Sequence, residues 1–375
     1  MDTQVMIFYA SAGFGHEKAA RGIEEAMRTS LDPAAVECLD TVKLAPGFFG
    51  DLYRQTYLLQ IKYAPWLWGM FYYSFDVPWI YFFTRKIRRL LNSLTARKLE
   101  TLLVEKNPET VIATHFLAVE VAAFLKIRGR IRSKIISVVT DYLPHYVWTA
   151  AGVDGYAVAV EETKDGLIRR GVPAERIRIT GIPIESKFLK TNSKEELAAK
   201  FNLKTSVFTI LLTSGGGGIG ALVDIVDGLL ELKKTMQVLV VCGTNKDLFE
   251  RLSKRSEAWP SLKVFGFVNN MQELMEVSDI VIGKAGGLTI TESFSKGKPV
   301  ILFQSIPGQE RRNAVCVERY GAGILAHGAP DVIKRIRGLL ENPKEFDSLK
   351  AGARQLSRPF AAEDIVRWVK EGVRV

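Results

Sequence analysis

The chain is poor in the residues that staple or metallate small folds. Its three cysteines, Cys38, Cys242 and Cys316, are odd in number and widely spaced. That excludes a disulfide framework and a CxxC metal clamp and points to a reducing compartment. Histidine is almost as scarce, with 4 in 375 residues, so each one carries information. No GxxxxGK[ST] loop and no DxD carboxylate pair occurs, which removes a Walker-type site and a carboxylate cradle for a metal-bound diphosphate. The first residues, MDTQVMIFYA, combine acidic Asp2 with a short apolar run. With neither a basic n-region nor a long h-region, they read as a first strand and not as a signal peptide. Tandem repeats of solenoid period and low-complexity tracts are also missing.

What is present is the composition of an ordered protein, 47% hydrophobic and 25% charged, in a length that suits two domains. The formal net charge of +10 asks for an anionic partner: nucleic acid, a phosphorylated small molecule or an anionic membrane surface. Its distribution is uneven. Between Lys43 and Lys98 nine basic residues face only Asp51 and Asp76.

Most of the chain repeats a short apolar run, a glycine-rich turn and an amphipathic helix, the pattern of a parallel α/β sheet. Strands are expected at Val5 to Ala10, Ala35 to Leu39, Thr110 to Thr114, Lys134 to Val139 and Gly155 to Val158. A second set is expected at Phe208 to Thr213, Gln237 to Cys242, Lys263 to Phe265, Ile280 to Ile282 and Val300 to Phe303. Helices are expected at Ala221 to Leu232 and Met271 to Val277, among others. The break falls at Thr180-Gly181-Ile182-Pro183, giving a first domain of 1–182 joined by a C-terminal helix within 358–375, and a second of 183–357.

One insertion breaks the pattern. From Phe48 to Phe83 stand fifteen aromatic residues, Tyr57, Trp66, Trp68, Phe71 and Tyr72 among them, followed at once by Arg85, Lys86, Arg88 and Arg89. Trp and Tyr settle at membrane interfaces and Lys/Arg attract anionic head groups, so this block suits a monotopic anchor. A helical hairpin packed as core is the structural alternative. A spanning helix over Ala64 to Phe83 is disfavoured by Pro65, Asp76 and Pro78.

Three strand-to-helix turns carry candidate chemistry. In Ser11-Ala12-Gly13-Phe14-Gly15-His16, before a helix expected near Glu17, glycines permit close backbone approach and the helix N–H groups favour an anion. The GxGxxG fingerprint fails there at Lys18. His16 would stand at the carboxyl edge of a parallel sheet, where an imidazole of pKa ~6.5 suits a general base; capping the turn is its structural alternative. Ser214-Gly215-Gly216-Gly217-Gly218-Ile219-Gly220 offers main-chain N–H groups to phosphates. In Lys284-Ala285-Gly286-Gly287-Leu288-Thr289-Ile290-Thr291-Glu292, the carboxylate one turn inside the helix suits a vicinal diol such as ribose. An ordinary solvated Glu is the plain reading.

Together these motifs resemble the GT-B glycosyltransferases of the MurG and monogalactosyldiacylglycerol synthase group, and within it the diacylglycerol glycosyltransferases. SAGFGHEKAA is similar to that group's SxGxGHxxAA loop, GFVNNMQELMEVSDIVIGKAGGLTITES with IPGQERRN to its UDP-sugar site, and VVTDYLPHYVW to the acceptor-side segment. The likeness runs in fixed order from Val5 to about Gly323.

The resemblance implies an α/β GT-B fold, two Rossmann-like domains facing a cleft, with the aromatic and basic insertion in the acceptor domain. It implies that Glu292 holds the uridine ribose and that Phe267, Val268 and Met271 flank the uracil. Ser214, Gly215, Gly216, Gly286, Gly287 and Thr289 would line the diphosphate, and Gln309, Glu310 and Asn313 would read the sugar. The acceptor loop would comprise Gly13, Phe14, Gly15, His145 and Trp148, with His16 or Asp141 as the base. The implied reaction is inverting: glucose or galactose passes from UDP-glucose or UDP-galactose to the 3-hydroxyl of 1,2-diacylglycerol, and the glycolipid product is a candidate acceptor for a further round. No metal or other cofactor is expected, and anionic membrane lipids are, at the cytoplasmic face of the cell membrane. A polyprenyl-linked wall precursor is the alternative acceptor. Single-stranded nucleic acid binding by stacking is the non-enzymatic alternative, disfavoured because the positive charge adjoins a dense apolar block.

Overall fold

The computed structural model describes residues 4–11, 13–45, 64–84, 96–213, 221–303 and 306–372. Internal packing divides the chain into two units. The first comprises Met1–Ser186, Ile306–Arg312 and Arg358–Val375, and the second Lys187–Ser305 and Asn313–Ser357.

The first unit is built on strands β1 (Val5–Tyr9), β2 (Val36–Asp40), β3 (Thr110–Ala113), β4 (Lys134–Val138), β5 (Gly155–Val158) and β6 (Ile177–Ile179). All pair in parallel, in the order β2-β1-β3-β4-β5-β6. Runs such as VMIFY, TVIA and GYAV are buried at every position, as strands covered by helices on both faces must be. The helix Ala361–Lys370 closes one face, with Ile365, Val366 and Trp368 packed among Ile7, Ile136 and Ala157.

The second unit holds β7 (Phe208–Thr213), β8 (Met236–Val241), β9 (Leu262–Phe265), β10 (Ile280–Gly283), β11 (Val300–Leu302) and β12 (Gly323–Leu325). They are again all parallel, in the order β12-β11-β10-β7-β8-β9. Each sheet thus has one place where the chain's winding reverses, between β1 and β3 in the first and between β7 and β10 in the second. Open parallel sheets bind ligands outside the carboxyl ends of the strands at such a point.

Three details depart from the sequence-based expectation. β6 has only three residues and is not among the expected strands. β12 has only three residues, too few to show a hydrophobic period. The first helix spans Phe14–Arg28, so it begins before Glu17 and takes His16 into its first turn.

Candidate active site

In the first unit the reversal point is laced by side-chain hydrogen bonds. Asp40, at the end of β2, accepts the N–H of Ser11 at 3.2 Å and of Val42 at 3.0 Å through Oδ1. The Thr41 hydroxyl donates to the Tyr9 carbonyl at 2.8 Å, and the Thr114 hydroxyl, just past β3, donates to the His16 carbonyl at 2.8 Å. These bonds fix the Ser11 loop and the start of the Phe14–Arg28 helix over β1 and β3.

His16 is half-buried there, with Nδ1 2.6 Å from the Thr114 carbonyl and 3.2 Å from the Thr140 hydroxyl. A carbonyl only accepts, which assigns the proton to Nδ1 and leaves the Nε2 lone pair available. Loss of hydration pushes the imidazole below its ordinary pKa, with the bond to Thr114 opposing in part. The ring is therefore a neutral base near pH 7. Around it Gly13 is exposed, Gly15 half-buried and Phe14 60% exposed, and a Cβ at Gly13 would meet nothing within 4 Å.

The neighbours of His16 are only partly those expected. Trp148 is buried in the core, its ring 6.4 Å from the imidazole, so it is a wall of the site. His115, which the sequence reading passed over, lies 4.9 Å away in edge-to-face contact. Its Nδ1 accepts the Leu117 N–H at 3.3 Å and caps the helix Phe116–Ile127; burial, then repulsion from His16 whenever both rings are protonated, hold it well below the usual imidazole range. The signal available was its place directly after β3, on the same sheet edge as His16. Asp141 is half-buried, and its charge acts on the Tyr72 phenol. Orientation of His16 comes from Thr114 and Thr140.

His145 departs from the role expected of it in the acceptor loop. Its Nε2–H donates to the Tyr72 carbonyl at 2.8 Å and its Nδ1 accepts the Val147 N–H at 3.0 Å. Burial pushes it down to about 4 against the opposing pull of Asp76 and the Tyr72 carbonyl. It is a neutral tie between the 140s loop and the aromatic insertion, with both ring nitrogens engaged on backbone.

Within the insertion, the helix Pro65–Phe75 stops at Asp76 and helical residues resume at 78–84. Trp66 (68% exposed), Met70, Phe71, Tyr73, Trp79 (72%), Phe82 and Phe83 turn outward. Trp68 is half-buried, and Tyr72 turns inward, its ring 4.4 Å from His145 and its hydroxyl buried. Tyr72 thus faces inward, away from the exposed side that Met70, Tyr73, Trp79, Phe82 and Phe83 share with Trp66 and Phe71. Tyr81 anchors the second segment, donating to the Thr149 carbonyl at 2.7 Å. Among the described residues no helix is long and apolar enough to cross a membrane. Tyr57, Arg85, Lys86, Arg88 and Arg89 lie outside the described residues.

In the second unit, β10 leads through Lys284–Gly286 into the helix Gly287–Ser295, whose start has no side-chain cap. Its first N–H groups are thus left to an anion or water. Thr289 is half-buried in that first turn, and Glu292, one turn further, is 3% exposed. Asn313 is buried and donates from Nδ2 to the Ala285 carbonyl at 3.1 Å, which makes it a brace for the glycine loop. Just past β9, Phe267 is exposed while Val268 and Met271 are half-buried. In the Ile306–Arg312 segment, which belongs to the first unit, Gln309 and Glu310 open the helix Gln309–Arg319 and are half-buried; the Glu310 carboxylate accepts the Ile306 N–H at 2.8 Å. Ser214, Gly215 and Gly216 lie outside the described residues. Among the described residues no group of three or more His, Cys, Asp or Glu is arranged to hold a metal ion.

Two parallel sheets of this order, each carrying a glycine-rich loop and a helix start at its reversal point, define a GT-B fold. The family model described as monogalactosyldiacylglycerol (MGDG) synthase matches residues 16–184, and that of the glycosyltransferase family 28 C-terminal domain matches 209–355. The chain is 31% identical over 370 residues, 98% of its own length and 93% of the relative's, to a processive diacylglycerol beta-glucosyltransferase of Bacillus cytotoxicus. It belongs to this family of diacylglycerol glycosyltransferases. In fold it is similar to Acinetobacter baumannii MurG (TM-score 0.61, 12% identity, 98% of this chain and 100% of that one). It is equally similar to S. aureus MnaA solved with UDP (TM-score 0.62, 13% identity, 98% and 95%).

Proposed function

We propose that the protein transfers glucose from UDP-glucose, with inversion, to the 3-hydroxyl of 1,2-diacylglycerol, giving a β-glucosyldiacylglycerol. The observation that carries this reading is the similarity along 98% of the chain to a protein named processive diacylglycerol beta-glucosyltransferase. Galactose is the second reading, favoured by the name of the family model over residues 16–184.

In the proposed chemistry His16 Nε2 takes the proton of the acceptor hydroxyl as its oxygen attacks the anomeric carbon, and the C–O bond to the diphosphate breaks, releasing UDP. Asp141 is the competing base. Charge growing on the departing diphosphate is met by the N–H groups at the start of the Gly287–Ser295 helix and by those of Ser214, Gly215 and Gly216, an electrostatic stabilisation of the leaving group. Glu292 holds the ribose, with Phe267, Val268 and Met271 about the uracil. Gln309 and Glu310 read the hexose, and Asn313 acts through the Ala285 carbonyl it braces. This scheme calls on no metal.

The purified protein is incubated with diacylglycerol vesicles and labelled UDP-glucose or UDP-galactose, and the lipids are separated by thin-layer chromatography. Label is expected from UDP-glucose, first in a monoglycosyl and then in a diglycosyl lipid. Label from UDP-galactose alone would reassign the donor, and no labelled lipid from either would overturn the reading.

The same reading places the protein on the cytoplasmic face of the cell membrane, held peripherally by the outward aromatics and by the Arg85–Arg89 run with anionic lipids. Each such side chain gains part of the ~1.5–3 kcal/mol of full burial, so replacing Trp66, Phe71, Trp79 and Phe83 together by serine is expected to weaken vesicle partitioning roughly 100-fold or more. Flotation with anionic vesicles measures this, and full retention would move the anchor elsewhere.

A further inference from the structure

The turn that opens the Gln309–Arg319 helix packs on the inner side of the aromatic insertion. Gly308 has φ +106°, a region that disfavours side chains, and a Cβ there would lie 2.8 Å from the Tyr72 ring. A Cβ on Gly69 would lie 2.7 Å from Pro307, so helix Pro65–Phe75 and the turn approach closely at two points. The turn is closed on itself, with Arg312 N–H donating to the Gly308 carbonyl at 3.0 Å.

Arg312 fixes this packing. One guanidinium nitrogen stands 2.6 Å from Asp76 Oδ2, and another donates to the Pro144 carbonyl at 3.3 Å. Its guanidinium carbon lies 5.2 Å from the ring centres of both Tyr72 and Tyr73. Asp76, the residue that ends the insertion helix, also holds Arg170 at 2.7 Å and accepts the Tyr146 N–H at 2.8 Å. A flat, permanently charged fork is used here for ion pairing, hydrogen bonding and stacking at once. The next residue, Asn313, braces Ala285.

We propose that Arg312 is a positioning residue for the donor: through Asp76, Tyr72 and Tyr73 it fastens the turn bearing Gln309 and Glu310 to the helix whose other side carries the outward aromatics. This rests on the reading that Gln309 and Glu310 contact the hexose. The turn then sets affinity for the sugar half of the donor, and the lipid-facing helix is its base plate.

Arg312→Gln is expected to raise KM for the UDP-sugar roughly 10-fold to 100-fold, the scale of a small misplacement of binding groups, with kcat changed far less. Inhibition by UDP and vesicle binding should stay at wild-type values. Arg312→Lys keeps the charge without the fork and should fall between the two, giving a folded variant if the glutamine substitution destabilises the chain. In an Asp76→Asn background, Arg312→Gln should add little further, because the two act through one another. An unchanged donor KM in both Arg312 variants, or equal weakening of UDP and UDP-sugar, would overturn the proposal. A wild-type protein that binds UDP and turns over no UDP-sugar would instead overturn the reading beneath it.

Discussion

His16→Ala is expected to lower kcat by ~10² to 10⁴, the usual range for a lost general base, while leaving donor KM near its wild-type value. The asymmetry follows from the geometry. His16 belongs to the β1–β3 edge of the first unit, held by Thr114 and Thr140, and the scheme gives it the acceptor proton and no part of the nucleotide. The alanine variant keeps the Thr114 hydroxyl bond to the residue 16 carbonyl, so the helix start keeps that anchor. The pH dependence supplies a second readout. The base must be neutral to act, and burial holds its pKa below the ordinary imidazole value. Activity should persist as the pH drops through ~6.5 and fall only below it, and this acid limb should be lost in the variant. Steady-state rates against UDP-sugar concentration and pH decide the matter. Wild-type turnover in His16→Ala would remove the residue from the mechanism and leave Asp141 as the candidate base.

How much of this site shows in the sequence depends on whether its physics is local. His16 could be read directly, because an apolar strand, a glycine turn and an amphipathic helix occur in succession around it. Its partners could not: Thr114 and Thr140 are 98 and 124 residues away and arrive only through the parallel order of β1, β3 and β4. The second reversal point was legible for the same local reason, since Gly286, Gly287 and Glu292 follow β10 without interruption. The insertion announced itself by composition, but composition carries no facing. In the Pro65–Phe75 sequence PWLWGMFYYSF almost every position is apolar, so the helical period cannot separate Trp66 and Phe71, which turn out, from Tyr72, which turns in. Asp76 read only as a charge that interrupts an apolar stretch. Its partners Arg170 and Arg312 come from distant segments, and nothing near it in sequence marks a buried ion cluster.

That cluster carries the second large expected effect. The Asp76 carboxylate is 7% exposed, and the side chains of Arg170 and Arg312 are 17% and 20% exposed. Asp76→Ala would leave two largely buried guanidinium groups without their counter-charge, which typically costs ~3–5 kcal/mol. It also removes the acceptor of the Tyr146 N–H. For a unit of this size the midpoint of thermal unfolding should fall by roughly 10 °C. The pH dependence has a definite sign. Burial alone would raise the Asp76 pKa, but the Arg170 hydrogen bond, the nearby His145, the Tyr146 N–H and the Arg170 charge together outweigh it, and the net shift is downward. A carboxyl with a depressed folded-state pKa contributes stability that is fully present above its unfolded value of ~3.9 and is lost as the pH falls through the lower, folded value. The gap between wild type and Asp76→Ala should therefore be widest near neutrality and close in acid. Denaturant or thermal melts at pH 7 and at successively lower pH measure it. A gap that stays constant into acid would show that the cost is lost packing and not the ion cluster. If no gap appears at pH 7, the two arginines find other partners when Asp76 is removed, and the insertion is held chiefly by His145 and Tyr81.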